Sequence, residues 1–340
     1  MRRPLRQSAR SSERGFVIIA VLWILVALSA LAMIFSVYLS NSARALGATD
    51  IGVQSEALVS AGLELTAYQL LLADEKARPV QGSFRFRMDD AEAFVTFTSE
   101  AARVDLNKAS KEMLGNLFEV LGAEQKAAEE VAARIDGWRA PPKAGAANDE
   151  EALYLASGLA YSPRQAPFVH VNELSLLLGV SPAVVERVLP YVTVFSKSAD
   201  VDVLLAPPEV VAALPGMTPE VLNDFLKQRP SLPRDQKAIA AALGPAAKAA
   251  GTLPDAKAFR VLTTIRFDNG RRTSTEAVIL LGSAEGKNKN SAQGQGSTNT
   301  NTNTNTTDKD NKEPYKILSW QDETETGTRP PRQASRQAGR

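Results

Sequence analysis

The sequence predicts an α+β fold: a long N-terminal helix and an antiparallel sheet, with a large all-α domain inserted between strands. Three observations carry this. Residues 16–43 contain no charged side chain. Residues 83–98 and 259–281 each hold two alternating segments around a turn, the pattern of a β-hairpin. Between them, residues 107–250 are rich in Ala and Leu and are punctuated by helix caps and breakers.

At the N-terminus, Arg2, Arg3, Arg6, Arg10 and Arg14 stand against the single acid Glu13. Residues 16–39 (FVIIAVLWILVALSALAMIFSVYL) follow. A spanning helix needs about 20 apolar residues, so this run is long enough to cross a bilayer. The basic leader should stay in the cytoplasm and the rest of the chain cross to the far side. An ordinary secretory signal has its small residue after the apolar core. Here Gly15 precedes it, and a cut there would remove the charges and keep the helix. Beyond the bilayer, Leu58, Ala61, Leu65, Tyr68 and Leu72 recur at helical spacing and predict an amphipathic continuation. Gly47 and Gly52 weaken the join, and Pro79 and Gly82 end the pattern.

The first hairpin runs through residues 83–88 and 93–98, with Asp89 and Asp90 in its turn. In the helical block, Ser110 caps a helix that Gly122 breaks, and a second helix reaches Trp138. Pro141, Pro142 and the small residues after them read as a loop. A short helix over 172–178 stops at Gly179, and Ser181-Pro182 starts the next. Pro207-Pro208 opens another, Pro215-Gly216 closes it, Thr218-Pro219 repeats the cap, and Pro230 ends the last. The result is three short helical hairpins, a weak internal repeat. The second β-hairpin follows, with Asp268-Asn269-Gly270 between residues 259–267 and 273–281. The simplest topology inserts the helices between the second and third strands of one sheet. Residues 283–312 have almost nothing apolar to bury and predict disorder. Residues 315–320 (YKILSW) then predict a last edge strand.

Composition narrows the function. The 340-residue chain has a net charge of +1 and no cysteine, which argues against a general polyanion binder and excludes disulfides and thiol nucleophiles. His170 is the only histidine, so most catalytic triads and transition-metal sites are ruled out and the chain reads as a non-enzyme. His170 itself reads as a strand-end or satisfied structural residue. The pairs Asp89-Asp90 and Glu150-Glu151 read as solvated turn and loop carboxylates.

The residues Arg14-Gly15-Phe16 resemble a type IV prepilin leader. The resemblance implies that prepilin peptidase cleaves between Gly15 and Phe16 and that Phe16 becomes an N-methylated terminus. Major pilins and most pseudopilins carry Glu at the fifth mature position, where this chain has Ala20. A carboxylate inside the bilayer persists only with a partner. A subunit with no neighbour ahead of it has none to offer, so Ala20 marks a tip position.

A more specific resemblance rests on Arg14-Gly15-Phe16 with Ala20, on Val104-Asp105-Leu106-Asn107-Lys108-Ala109 and on Phe168-Val169-His170-Val171-Asn172-Glu173-Leu174. Ala206-Pro207-Pro208-Glu209-Val210 and Tyr315-Lys316-Ile317-Leu318-Ser319-Trp320 complete it. The chain is similar to the minor pseudopilin K family of type II secretion systems. The family implies a pilin-like α/β core with a large helical insertion. It implies a role in capping or initiating the periplasmic pseudopilus. Its implied partners are minor pseudopilins I and J, the major pseudopilin and prepilin peptidase. It also makes Ca2+ a candidate ligand with Asp149, Glu150 and Glu151 as contributors, although no complete metal site follows from the sequence. Residues 201–205 (VDVLL) depart from the family's commoner Val-Asn-Leu-Asn-Thr type, and the Asn/Thr-rich tract is atypical.

The organisation expected is a cleaved basic leader (1–15), a transmembrane helix (16–40) and the first part of a pilin-like core (41–100). An inserted helical domain (101–255) and a second core hairpin (256–282) follow. The chain closes with a disordered Asn/Thr-rich loop (283–313), a last strand (314–321) and a disordered tail (322–340). The protein would sit in the inner membrane as a single-pass subunit, N-terminus cytoplasmic and bulk periplasmic.

The alternative is a membrane-anchored DNA-binding or uptake receptor, because Asp105-Leu106-Asn107-Lys108-Ala109 and Leu214-Pro215-Gly216-Met217 also resemble helix-hairpin-helix modules. Such modules hold phosphate on backbone N–H groups and need positive charge nearby. Residues 101–250 carry 15 Lys and Arg against 18 Asp and Glu, which makes nucleic acid an unfavourable partner.

Overall fold

The structure is a computed structural model, and it describes residues 13–74, 77–141, 149–250, 257–282 and 314–323. The expectations for residues 1–12, for Pro142 and the small residues after it, for the Asn/Thr-rich tract 283–313 and for the tail 324–340 lie outside the described residues. By contacts the chain forms two units, 1–58 and 59–340.

The first unit is helical. Helix α1 (Glu13–Leu72) begins in it and runs unbroken through Gly47 and Gly52, so neither glycine interrupts the hydrogen-bond ladder. Ile18–Ser42 has a mean hydropathy of 2.9, is long and apolar enough to cross a membrane, and holds no buried residue. Trp23 and Met33 are each 72% exposed. A helix apolar on every side has no aqueous face, which is the pattern of a lipid-facing span.

The second unit opens with the last turns of α1. Of the stripe read from the sequence, Leu58 is buried and Ala61 half-buried, but the rest is corrected. Val59, Gly62, Leu63, Thr66, Ala67 and Leu70 are the buried face, whereas Leu65, Tyr68 and Leu72 are exposed, Tyr68 by 64%. Both stripes have helical spacing, so periodicity could not separate them. Close approach does. A Cβ on Gly62 would come within 3.1 Å of Val95 Cγ2 and 3.3 Å of Thr263 Oγ1. Gly62, Thr66 and Ala67 let the helix backbone approach the sheet, with Val59, Leu63 and Leu70 buried beside them, while Leu65, Tyr68 and Leu72 point away.

Strands β1 (Gln81–Met88) and β2 (Ala91–Ser99) form the first hairpin, antiparallel from Gln81 opposite Thr98 to Met88 opposite Ala91. Asp89 takes φ 52° in the turn. Asp and Asn tolerate this left-handed region better than most residues. The chain then leaves the sheet. A two-residue strand β3 (Val104–Asp105) leads into α2 (Lys111–Val120), α3 (Gln125–Arg139) and α4 (Asp149–Ala156). Helix α5 (Pro182–Val188) and strand β4 (Val192–Thr193) come next, then α6 (Pro208–Ala212), α7 (Pro219–Gln228), α8 (Gln236–Leu243) and α9 (Ala247–Ala250). The sheet resumes with β5 (Ala258–Phe267), β6 (Arg272–Leu281) and β7 (Tyr315–Glu323). The strand order is β1-β2-β5-β6-β7, all antiparallel, so the helices are inserted between the second and third strands of the main sheet.

β7 is an edge strand and extends two residues past the expected end at 321, with a register shift against β6 between Val278 and Ile279. Three further readings are corrected. β3 and β4 pair in parallel inside the helical block, where no strand was expected; two residues are too few for an alternation signal. Glu150 and Glu151 lie in helix α4, not in a loop, and Glu150 is not a solvated carboxylate. It binds Arg134 at 2.5 Å, and its side chain is only 15% exposed. The residues over 172–178 form a 3-10 helix, Val171–Leu176. Helices α8 and α9 lie beyond Pro230 but inside the expected block of 101–255.

The core of the inserted block is continuous. It runs from Val104 and Leu106 through Leu114, Leu117, Ile135 and Trp138 to Phe225 and Leu243. Trp138 lies 6.1 Å from Phe168 and 6.2 Å from Tyr154, ring centre to ring centre. Burial raises the Tyr154 hydroxyl pKa, and that hydroxyl accepts the Leu178 N–H at 3.0 Å.

Candidate functional site

The structure offers three places where function could reside: the N-terminal helix, the joint between sheet and insertion, and the helical hairpins. The backbones of Gly15, Phe16 and Ala20 lie on the one helix α1. The backbones of Phe16 and Ala20 are about one helical turn apart. Ala20 is partly exposed, with apolar neighbours on either side.

The joint is ionic and buried. Glu100, in a 3-10 turn directly after β2, is 1% exposed. Its carboxylate accepts from Arg260 of β5 at 2.7 Å and 3.2 Å and from the Thr193 hydroxyl of β4. Arg260 also binds Glu276 of β6. Burial alone would lower the Arg260 pKa, but the bonds and charges of Glu100 and Glu276 outweigh it and hold the guanidinium above its ordinary value. Nearby Arg103 is shifted down, first by burial and then by repulsion from Arg260. One acid thus ties the end of the second strand, the third strand and the inserted block together.

Asp105 and Asp202 make the same turn. The Asp105 carboxylate accepts the Asn107 N–H at 2.8 Å, and its carbonyl accepts the N–H of Lys108 and of Ala109. Asp202 does so with Leu204, Leu205 and Ala206. Each turn delivers the chain to a helix start, at Ser110 for α2 and at Pro207 for α6. Asp105 also accepts the Lys197 N–H at 2.7 Å, and burial raises its pKa. The departure from the family's usual residues at 201–205 leaves this turn intact, because the Asp side chain and backbone make it.

The three hairpins have a common joint. Gly122, Gly179 and Gly216 take φ of 92°, 80° and 80°, the left-handed region that favours glycine. Two of the joints are occupied by protein. Arg187 donates to the Leu121 carbonyl at 2.9 Å, and a Cβ on Gly216 would lie 3.8–3.9 Å from the Pro245–Ala246 backbone. The groove between α2 and α3 is lined by Glu112, Glu119 and Glu129 with Lys111. These are packing joints on an acidic block, a poor setting for a phosphate backbone.

His170 is a helix cap, not a strand-end residue. Its Nδ1 accepts the Asn172 N–H at 3.1 Å, while Glu173 accepts the His170 N–H at 3.2 Å in return, a reciprocal capping box. Its Nε2 lies 2.9 Å from the side-chain amide of Gln321 on β7. No group of three or more His, Asp or Glu side chains converges to hold a metal among the described residues. Glu150 directs one oxygen to Arg134, while its Oε1 has no hydrogen-bond partner among the described residues.

A long N-terminal helix laid on an antiparallel sheet, interrupted by a helical domain, defines a pilin-like subunit with an insertion. Residues 93–197 match the family model described as Type II secretion system (T2SS), protein K. The type II secretion system protein K of Klebsiella pneumoniae is 28% identical over 240 residues, covering 62% of this chain and 72% of that protein. In the crystal structure of the GspK-GspI-GspJ complex from the enterotoxigenic Escherichia coli type 2 secretion system, one chain shares the fold with a TM-score of 0.55. That match covers 80% of this chain and 95% of the other at 15% identity. The family model and the Klebsiella relative are both protein K of type II secretion systems, and the solved complex shares the fold, so the chain is similar to the minor pseudopilin K family.

Proposed function

We propose that this protein caps or initiates the pseudopilus of a type II secretion system. Prepilin peptidase cuts between Gly15 and Phe16, and the methylated Phe16 helix first holds the subunit in the inner membrane and then packs among other pseudopilin helices. The bulk of the chain lies in the periplasm. Minor pseudopilins I and J, partners named in the complex that shares its fold, are its neighbours, and the major pseudopilin continues the filament below. Its work is mechanical, without a catalytic site. Ca2+ remains a candidate ligand through Asp149, Glu150 and Glu151.

The observation that carries the reading is Ala20, one turn from Phe16 within the uncharged stretch 16–43 of α1. A subunit that must accept a neighbour ahead of it would profit from a carboxylate there; a tip subunit would only bury an unpaired charge. The inserted block supports the same position, since its bulk obstructs a further subunit above it.

The test is the intact mass and N-terminal residue of the membrane-bound protein, with and without co-expressed prepilin peptidase. A peptidase-dependent start at Phe16 is expected, and an uncleaved chain in both samples would overturn the processing. Ala20→Glu should not improve secretion; a clear gain would overturn the tip position.

A further inference from the structure

The face of the main sheet turned away from α1 carries a basic, aromatic-centred surface that neither the joint nor the N-terminal helix uses. Arg85, Phe94, Thr264 and Ser274 stand opposite one another across β1, β2, β5 and β6. The next row is Arg87, Glu92, Arg266 and Arg272. Arg85, Glu92, Phe94, Thr264, Arg266 and Arg272 line one shallow depression. Phe94 is 48% exposed at its centre.

Charge on this surface is unbalanced. Arg87 is tied to Asp268 at 2.5 Å, and Arg266 lies 3.6 Å from Glu92. Arg85 and Arg272 make no ion pair among the described residues. Every cation on these four strands is Arg and none is Lys. A guanidinium grips a carboxylate through two parallel N–H bonds, whereas Lys serves as a point charge. Arg and aromatic residues are also the side chains enriched at the centres of protein interfaces.

We propose that this face docks an extended acidic segment of a partner protein, with an apolar side chain on Phe94 and two carboxylates on Arg85 and Arg272. The spacing selects the segment. Arg85 and Arg272 lie three strand intervals apart and one row out of step, roughly 16 Å between backbones at the usual strand separation and rise. An extended chain advances about 3.3 Å per residue, so carboxylates four residues apart, flanking a central apolar residue, come within reach of the two long Arg side chains. An anionic membrane surface is less well matched, because the surface is a flat strand face with one aromatic ring and no protruding apolar loop. The proposal is independent of the tip assignment and of the processing at Gly15.

The experiment titrates the full-length protein, in detergent micelles at low salt, into a fluorescent peptide with a Glu-Ser-Leu-Ser-Glu core. The Gln-Ser-Leu-Ser-Gln peptide and phosphatidylglycerol vesicles form the comparison arms. The expected result is saturable binding of the acidic peptide only. The double variant Arg85→Glu/Arg272→Glu should weaken it by about tenfold or more, as reversing charges at an interface does. Phe94→Ala should weaken it less, and Lys126→Glu, on the exposed side of α3, should leave it unchanged. Unchanged circular dichroism of the variants separates lost docking from lost folding. No binding of the acidic peptide, equal binding of the Gln peptide, insensitivity to the double variant, or Arg-dependent binding of the vesicles alone would each overturn the proposal.

Discussion

Asn107 and Phe168 hold each other by two reciprocal hydrogen bonds: the Phe168 N–H donates to Asn107 Oδ1 at 2.7 Å, and Asn107 Nδ2 donates to the Phe168 carbonyl at 3.0 Å. The side chain of Asn107 thereby substitutes for a strand partner and fixes the segment that carries His170 and Glu173. It also places the Phe168 ring against Trp138.

Asn107→Ala should therefore lower stability by about 2–4 kcal/mol, because it leaves a part-buried N–H and carbonyl without partners. Urea unfolding of the full-length protein measures it. An unchanged midpoint would mean that the pair contributes nothing.

Removing Glu100 should be more severe. Glu100→Ala leaves Arg260 buried beside Arg103 with only Glu276 to balance it. Breaking one side of a buried pair costs about 3–5 kcal/mol. In the double variant with Arg260→Ala the two losses should add to less than their sum, since the charges are coupled. Strict additivity in the unfolding free energies would refute the coupling.

Glu173 should supply an acid-sensitive element. Its carboxylate accepts from the Val169 N–H at 2.8 Å, the Trp138 indole at 3.0 Å and the His170 N–H, and it faces Arg164. Burial pushes its pKa up, but these bonds and the Arg164 charge outweigh burial and hold it below 4.5. The folded state then binds the proton less readily than the unfolded state. The contribution is present above about pH 4.5 and is lost as pH falls through the lower folded value. Glu173→Gln should flatten the stability–pH curve in that acid window. An identical slope in both proteins would remove Glu173 as its source.

Gly82 lies beneath a ring. A Cβ there would fall 2.4 Å from Phe97 Cζ, and Phe97 also meets Phe259 edge to face at 6.3 Å. Gly82→Ala should cost about 1–3 kcal/mol by overpacking, and Phe97→Leu in the same chain should recover part of it. If Gly82→Ala unfolds at the same temperature as the parent protein, the ring has room that the structure does not show.

How much of this was legible varies with the kind of signal. Both hairpins were readable because alternation and turn residues such as Asn269-Gly270 act within a few residues of one another. Ser110 and Thr218 were readable as caps because the side chain bonds a backbone N–H three residues on. The buried stripe of α1 was not readable, because Gly62, Thr66 and Ala67 are selected by the sheet against them and not by their own hydrophobicity. The parallel β3–β4 pair joins Val104 to Val192 across 88 residues, and the Glu100–Arg260 clasp spans 160. No local pattern encodes either.

By itself the sequence determined the N-terminal helix with its uncharged stretch 16–43, the hairpins, the helical insertion and the likeness to the minor pseudopilin K family. Each rests on periodicity, caps or short contiguous motifs, which the chain expresses locally. Only the tertiary structure decided which face of α1 is buried, how Glu100 joins sheet to insertion, and that Arg85, Phe94 and Arg272 share one surface. Those depend on which distant backbones approach, and close packing settles that only when the whole chain has folded.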